Sequence, residues 1–285
     1  MSLTGNIAAR VAARRVRRMR QNASAPQAVQ RRIFERLLSQ LRKTSFGHAH
    51  ELASVRCHAD LIRAIPLQDY QSLRPWWDRA RQGERDVIWP GLTKFWAISS
   101  GTTSGEKYLP VTAATIRNNK RGGFDSLAPY LAANGGGLFD GKLLFLGGST
   151  ALRQDGGIFT GDNTGIMSRH VPTCLRGLHA PDARIRAMPS WEEKVTAAAA
   201  QTATADLRML AGVPSWIILF GEAVLKHCQS TGRQVDTLAE VWPNLRLFVH
   251  GGVTFAPYAE RCRALIGREI TYTDTASAPA GCLLA

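Results

Sequence analysis

The residues best suited to chemistry lie in one stretch, Ser99-Ser100-Gly101-Thr102-Thr103-Ser104-Gly105-Glu106-Lys107. Glycines let backbone N–H groups close on an anion, and hydroxyls add donors for phosphate oxygens. Lys107, two residues past Gly105, supplies a compact positive charge suited to a leaving pyrophosphate. An ordinary polar surface loop does not need an unbroken Ser/Gly/Thr run followed by a lysine, so phosphate binding is the favoured reading. The stretch is not a Walker A loop, which requires Gly-x-x-x-x-Gly-Lys-Ser/Thr. Only three residues separate Gly101 from Gly105, and Tyr108 follows the lysine where the magnesium-binding hydroxyl belongs.

The other constellations are weaker. His48-Ala49-His50 could form half of a metal site, but no acid or cysteine lies near it, and His50 reads better as a structural residue after a helix end. No metal ligand is therefore assigned. The serine of Gly212-Val213-Pro214-Ser215-Trp216 lacks the flanking glycines of a nucleophile elbow. His250, before Gly251-Gly252, has two readings of equal weight, a substrate contact or a strand-end histidine satisfied by backbone. No catalytic acid, base or nucleophile follows from residue types alone.

The elements that must position the phosphate stretch alternate in type. Phe95–Ile98 reads as a strand, residues 99–107 as a loop, and Thr112 as the cap of a helix over 113–133. Lys142–Leu146 reads as a buried strand ending at Gly147-Gly148. Ser190 with Glu193 opens a helix expected to run to about Leu210, and Thr237 with Glu240 opens another. Arg246–His250 and Glu269–Thr273 read as strands around a helix over Pro257–Ile266. This rhythm predicts an α/β fold with a mostly parallel, helix-covered sheet. Upstream lie a helix opened by Ser24-Ala25-Pro26 and stopped near Gly47, and short helices near Ala59–Ile65 and Tyr70–Arg81. The Trp76-Trp77 pair on the last of these is assigned to the core.

Composition narrows the function further. The net charge is +14, but residues 1–50 hold eleven Lys/Arg and a single acid, Glu35, so the excess belongs to an N-terminal arm. In residues 1–24, Ala8, Ala12, Val16 and Met19 share one helical face, opposite Arg10, Arg14, Arg17 and Arg18. Such a helix can contact anionic lipid or nucleic acid, or pack its alanine stripe on the body. The absence of aromatic residues among the arginines favours packing. No apolar run reaches the length of a membrane span, and no secretory leader is visible. Five scattered cysteines without a Cys-x-x-Cys pair suggest reduced thiols and a cytoplasmic setting.

The stretch Phe95–Thr112 resembles the phosphate-binding motif of the acyl-adenylating superfamily. Three more stretches agree: Thr44-Ser45-Phe46-Gly47 with His50, Gly212–Trp216, and Trp242-Pro243-Asn244-Leu245 leading to His250-Gly251-Gly252-Val253-Thr254-Phe255-Ala256-Pro257-Tyr258. Together they are similar to the auxin-responsive-promoter (Gretchen Hagen) family of acyl acid amido synthetases, in its bacterial branch, over residues 25–285. The resemblance implies an adenylating N-terminal domain and a two-step ligase that uses ATP with Mg2+. A small carboxylic acid would form acyl-AMP, and an amino acid would then displace AMP to form an amide. Ser99, Ser100, Gly101, Thr102, Thr103, Ser104, Gly105 and Lys107 would hold the triphosphate, and Gly251, Gly252 and Val253 would line the adenine and acyl pocket.

The resemblance weakens near the end of the sequence. The family carries Tyr-x-Ala-Ser-Glu-Gly after a strand like Ile270–Thr273, and its glutamate serves the metal. Here Ala276 stands in place of the tyrosine and Ala280 in place of the glutamate, with Asp274 as the nearest acid. The family also continues into a mobile C-terminal domain, which these residues do not contain, so a truncated and weakly active or inactive chain is expected. The competing readings are a nucleotide-binding remnant without turnover, and a binding protein for nucleic acid or membrane driven by the basic arm.

Overall fold

The computed structural model describes residues 2–101, 105–278 and 281–284. Helices α1 (Leu3–Ala23), α2 (Pro26–Leu41), α3 (Ser45–Ala49), α4 (His58–Ala64) and α5 (Tyr70–Arg81) come first. Then follow β1 (Phe95–Gly101), β2 (Gly105–Val111), α6 (Ala113–Asn134), β3 (Lys142–Phe145), β4 (Arg153–Asp155), β5 (Ile158–Gly161), α7 (Asn163–Arg169) and β6 (His179–Ala180). The remainder comprises α8 (Ala183–Arg186), α9 (Trp191–Thr202), β7 (Leu207–Gly212), α10 (Pro214–Ser230), α11 (Leu238–Val241), β8 (Leu247–Gly251), α12 (Ala259–Ile266), β9 (Thr271–Ala278) and β10 (Gly281–Leu284). The chain divides into two compact units.

The first unit comprises Met1–Val16, Asn118–Ala151 and Thr164–Ala285, and holds a six-stranded sheet in the order β10-β9-β8-β7-β3-β6. All neighbours pair in parallel except β10, which runs antiparallel to β9. Parallel strands must be covered on both faces, and the side chains alternate to suit. Leu144, Leu210 and Phe248 lie in register and join a core with α9, α10, α11 and α12. Their neighbours Leu143, Met209 and Leu247, also in register, face the other way.

That second face is covered in part by the basic arm. Ala12 of α1 is fully buried, and Ala8 and Val16 pack beside it against a cluster that includes Ala128, Leu131 and Phe139. Small residues permit close approach: a Cβ on Gly5 would sit 2.5 Å from the Gly136 carbonyl oxygen. Arg15 leaves the basic face and donates both Nε and Nη2 to the Asp125 carboxylate in a largely buried pair. The alanine stripe is thus the packed face, while Leu3, Ile7 and Val11 are exposed.

The second unit comprises Arg17–Arg117 and Leu152–Asn163, and holds a four-stranded sheet in the order β2-β1-β5-β4. Trp96, Val87, Ala80 and Ile158 form its core, with Trp76 and Trp77 half-buried against it. The Asp69 carboxylate accepts the Ser72 N–H at 2.8 Å, and the Ser72 hydroxyl accepts the Asp69 N–H at 2.9 Å, which fixes the start of α5.

Several local expectations need correction. Residues 99–107 are not a loop leading directly to a helix, because β2 follows β1 as an antiparallel hairpin before α6 begins. The Thr112 hydroxyl does cap α6, accepting the Thr115 N–H at 3.1 Å. Gly47 does not stop α2, which ends at Leu41. It lies buried inside α3, where a Cβ would clash with the Leu41 carbonyl oxygen at 1.9 Å. Ser24 does not cap α2, since its hydroxyl donates to the Gln21 carbonyl at 2.9 Å. Helix α9 ends at Thr202, and Leu207–Gly212 forms β7, because a short apolar run shows the same hydropathy in a buried strand as in a buried helix.

Removing the Arg15 side chain leaves the Asp125 carboxylate buried without its cation. Arg15→Ala should therefore destabilise the fold by about 3 kcal/mol. Ile7→Ser on the exposed face should stay within about 0.5 kcal/mol. Urea unfolding of the two variants beside the parent chain checks both values.

Candidate active site

The predicted site residues fall into two groups, one in each unit. In the hairpin unit, Ser99, Ser100 and Gly101 close β1, while Gly105 and Lys107 lie on β2. The register sets Gly101 opposite Gly105 and Ser99 opposite Lys107. Ser99, Ser100, Gly101 and Gly105 thus lie at the paired ends of the two strands, with Lys107 on β2. Thr102, Thr103 and Ser104 lie outside the described residues. Pro110 falls on β2, an edge strand of its sheet, where a missing N–H is tolerated.

In the sheet unit, Gly251 ends β8, and Gly252 and Val253 follow it. Open α/β sheets bind ligands at the carboxyl ends of their strands, where the strand order reverses. From β3 the chain places β6 on one side and then β7, β8 and β9 on the other, so the reversal lies between β3 and β7. The segments leaving these strands are Leu146-Gly147-Gly148, Gly212-Val213 and Gly251-Gly252-Val253. They approach closely: a Cβ on Gly212 would lie 3.1 Å from the Leu146 carbonyl oxygen, and one on Gly252 would lie 3.3 Å from Val213 Cγ2. Gly252 also has a φ of 86°, which favours glycine. A Cβ on Gly251 would meet the Thr275 carbonyl oxygen at 1.8 Å.

Sequence reasoning assigned no role to Gly147, Gly148 or Lys194. Lys194, on α9, is buried and donates to the Gly147 carbonyl at 3.3 Å, while the Gly148 N–H donates to Thr164 Oγ1 at 2.7 Å. The glycine pair behind an apolar run was a visible signal, but Lys194 offered none.

His250 precedes the glycines. Its ring is only 4% exposed, stacks on Phe255 at 3.9 Å, and holds Nδ1 3.5 Å from Asp274 Oδ1. Burial lowers the imidazole pKa below its ordinary value, opposed in part by Asp274. Burial also pushes the nearby Tyr272 phenol up to about 12 and the Cys262 thiol up to about 11. Desolvation thus favours the neutral form of all three groups.

His48 and His50 do not build a metal centre. His48 is exposed, whereas His50 packs on Phe46 at 4.2 Å with Nδ1 3.3 Å from the Ala64 carbonyl oxygen. His50 also lines a cleft of about 480 Å³ with Glu51, Asp60 and Arg63. There the Asp60 carboxylate is committed to the backbone N–H groups of Arg56 and Cys57 and to Arg63, which lowers its pKa to about 2. Among the described residues, no group of three or more His, Cys, Asp or Glu could hold a metal ion. Magnesium is commonly held by one or two carboxylates together with substrate phosphates. Asp274 is half-exposed on β9 beside His250, while Ala280 lies outside the described residues.

The GH3 family N-terminal domain profile matches residues 15–188 and 165–270. The chain belongs to the GH3 family. It is 29% identical over 121 residues to a probable indole-3-acetic acid-amido synthetase GH3.1 of Oryza sativa subsp. japonica, covering 41% of this chain and 20% of that protein. The solved structure of AtGH3.15 acyl acid amido synthetase in complex with 2,4-DB shares its fold, with a TM-score of 0.68 and 17% identity, over 88% of this chain and 52% of that one. A second structure of GH3.15 acyl acid amido synthetase matches with a TM-score of 0.65 and 15% identity, over 86% and 51% of the two chains. The chain thus spans about half the length of these synthetase structures. No helix among the described residues is long and apolar enough to cross a membrane.

The His250 environment makes stability depend on pH. In the unfolded chain the ring takes up a proton near its ordinary value of 6.5, whereas the folded ring resists until lower pH. Folding stability should therefore fall as pH drops through that value toward the lowered one. His250→Asn should flatten this part of the profile. The check is urea midpoints for both proteins at about pH 7.5 and about pH 5.5.

Proposed function

We propose that the chain is the nucleotide-binding part of an ATP-dependent acyl acid amido synthetase. The observation that carries this reading is the pairing of Ser99–Gly101 on β1 with Gly105–Lys107 on β2, in a chain of the GH3 family. The carboxylate of a small acyl acid would attack the α-phosphate of ATP, forming the acyl-phosphate bond and releasing pyrophosphate. The amine of an amino acid would then attack the acyl carbon, with AMP leaving and an amide formed. In the first step, N–H and hydroxyl donors of residues 99–105 and the Lys107 ammonium would hold the triphosphate and offset the charge that builds on pyrophosphate. Gly251, Gly252 and Val253 would admit the adenine and acyl groups, because absent side chains leave room for a flat ring. Mg2+ bound with the nucleotide would supply further positive charge, and Asp274, the nearest acid in sequence, stands at the wrong spacing to replace the family's glutamate. Residues 1–24 form the arm and 25–285 the adenylating part in this reading. The exposed Cys57 and buried Cys228 and Cys262 are free thiols, which supports a cytoplasmic setting.

A second reading, nucleotide binding without turnover, is favoured by a specific feature: Ala280 stands where the resemblance calls for the metal glutamate. Loss of one such contact commonly costs about a hundredfold to a thousandfold in rate. The test is carboxylate-dependent exchange of labelled pyrophosphate into ATP by the 285-residue chain with a panel of aromatic and fatty acids. Exchange at least about a hundredfold slower than that of a full-length synthetase is expected, with measurable ATP binding that Lys107→Ala weakens. Ala280→Glu should raise the Mg2+-dependent rate. Undiminished ATP affinity in Lys107→Ala would sink the phosphate reading.

A further inference from the structure

The Lys107 ammonium has an aromatic neighbour. Nζ lies 5.5 Å from the centroid of the Tyr70 ring, within the range at which an aromatic face attracts a cation. The Tyr70 hydroxyl accepts the backbone N–H of Tyr108, the residue next to Lys107, at 3.0 Å. Strand β2 lies at the edge of its sheet, and an edge N–H has no ladder partner on its open side. One side chain therefore grips both the strand and the charge that the strand carries.

Tyr70 is itself well anchored. It is the first residue of α5, directly behind the reciprocal Asp69–Ser72 cap, and its ring packs 5.1 Å from that of Trp77 one face along the helix. The acid nearest Lys107 in sequence is turned elsewhere: Glu106 accepts the Tyr108 hydroxyl at 2.6 Å, and Arg81 lies over the Tyr108 ring at 3.7 Å. The choice of an aromatic ring matters. A carboxylate at this position would neutralise the ammonium, whereas a ring orients it and leaves its full charge for an anion.

We propose that Tyr70 is a positioning residue, whose ring aims the Lys107 ammonium and whose hydroxyl fixes the hairpin strand that bears it. The proposal rests on the reading of Lys107 as a phosphate ligand. It requires that the ring act on Lys107 directly, and that the hydroxyl be secondary for the charge.

The experiment uses the 285-residue chain with 13C-labelled lysine, compared as wild type, Tyr70→Phe, Tyr70→Leu and Lys107→Ala. The lysine Hε signal lost in Lys107→Ala identifies Lys107. A ring-current displacement of that signal is expected in wild type and Tyr70→Phe and should vanish in Tyr70→Leu. Mg-ATP affinity, measured by calorimetry, should be kept in Tyr70→Phe and weakened about three- to tenfold in Tyr70→Leu. The same substitution in a Lys107→Ala background should have no further effect. Should Tyr70→Leu fail to fold, Tyr70→Met provides the same comparison with a longer, more adaptable apolar side chain. A Lys107 signal unchanged in the folded aliphatic variant overturns the proposal while leaving the phosphate reading intact. ATP affinity unchanged in Lys107→Ala overturns the phosphate reading and the positioning role with it, whatever the lysine signal does.

Discussion

A parallel sheet sealed on both faces is the constraint on which the sheet unit depends. Each of its central strands presents one buried residue to each side, as in the rows Leu143–Met209–Leu247 and Leu144–Leu210–Phe248. Burying a large aliphatic or aromatic side chain contributes about 1.5–3 kcal/mol, so neither row can be left in water. The helices that follow and precede the strands cover one face. The other draws on α1 and α6, which makes the first residues of the chain part of the core. The arginine-rich arm is therefore shaped by two demands, with small residues against the sheet and charge toward solvent. Arg15 crosses between them by pairing with Asp125.

In open α/β sheets the carboxyl ends of the strands are where ligands bind. Three glycine-bearing segments leave β3, β7 and β8 beside the point where strand order reverses, and their surroundings leave little room for a larger side chain at Gly212 and none at Gly251. Near them His250, Phe255 and Tyr272 pack ring against ring. The hairpin unit answers a different need. Its strands carry donors and a lysine on a short stem, and its small sheet and helix α5 hold that stem from the side. The two groups of candidate site residues thus rest on separate local devices.

The sequence by itself determined the chemical vocabulary of this protein. Ser99 to Lys107 carry the residue types on which the phosphate proposal rests, and the strand–helix rhythm from Phe95 onward specifies a helix-covered parallel sheet, because hydropathy period and capping residues are local properties. The caps at Thr112, Ser190 and Thr237 were legible for the same reason. Only the tertiary structure decided where those words are spoken. Gly105–Val111 became a strand because β1 offered it a partner, not because its own pattern, interrupted by Pro110, required one. Leu207–Gly212 became a strand because β3 and β8 flank it. The nearness of Gly212 to Leu146, of Lys194 to Gly147, and of Tyr70 to Lys107 joins residues distant in the chain. Such pairings are set by strand order and packing, and no local window of residues contains them.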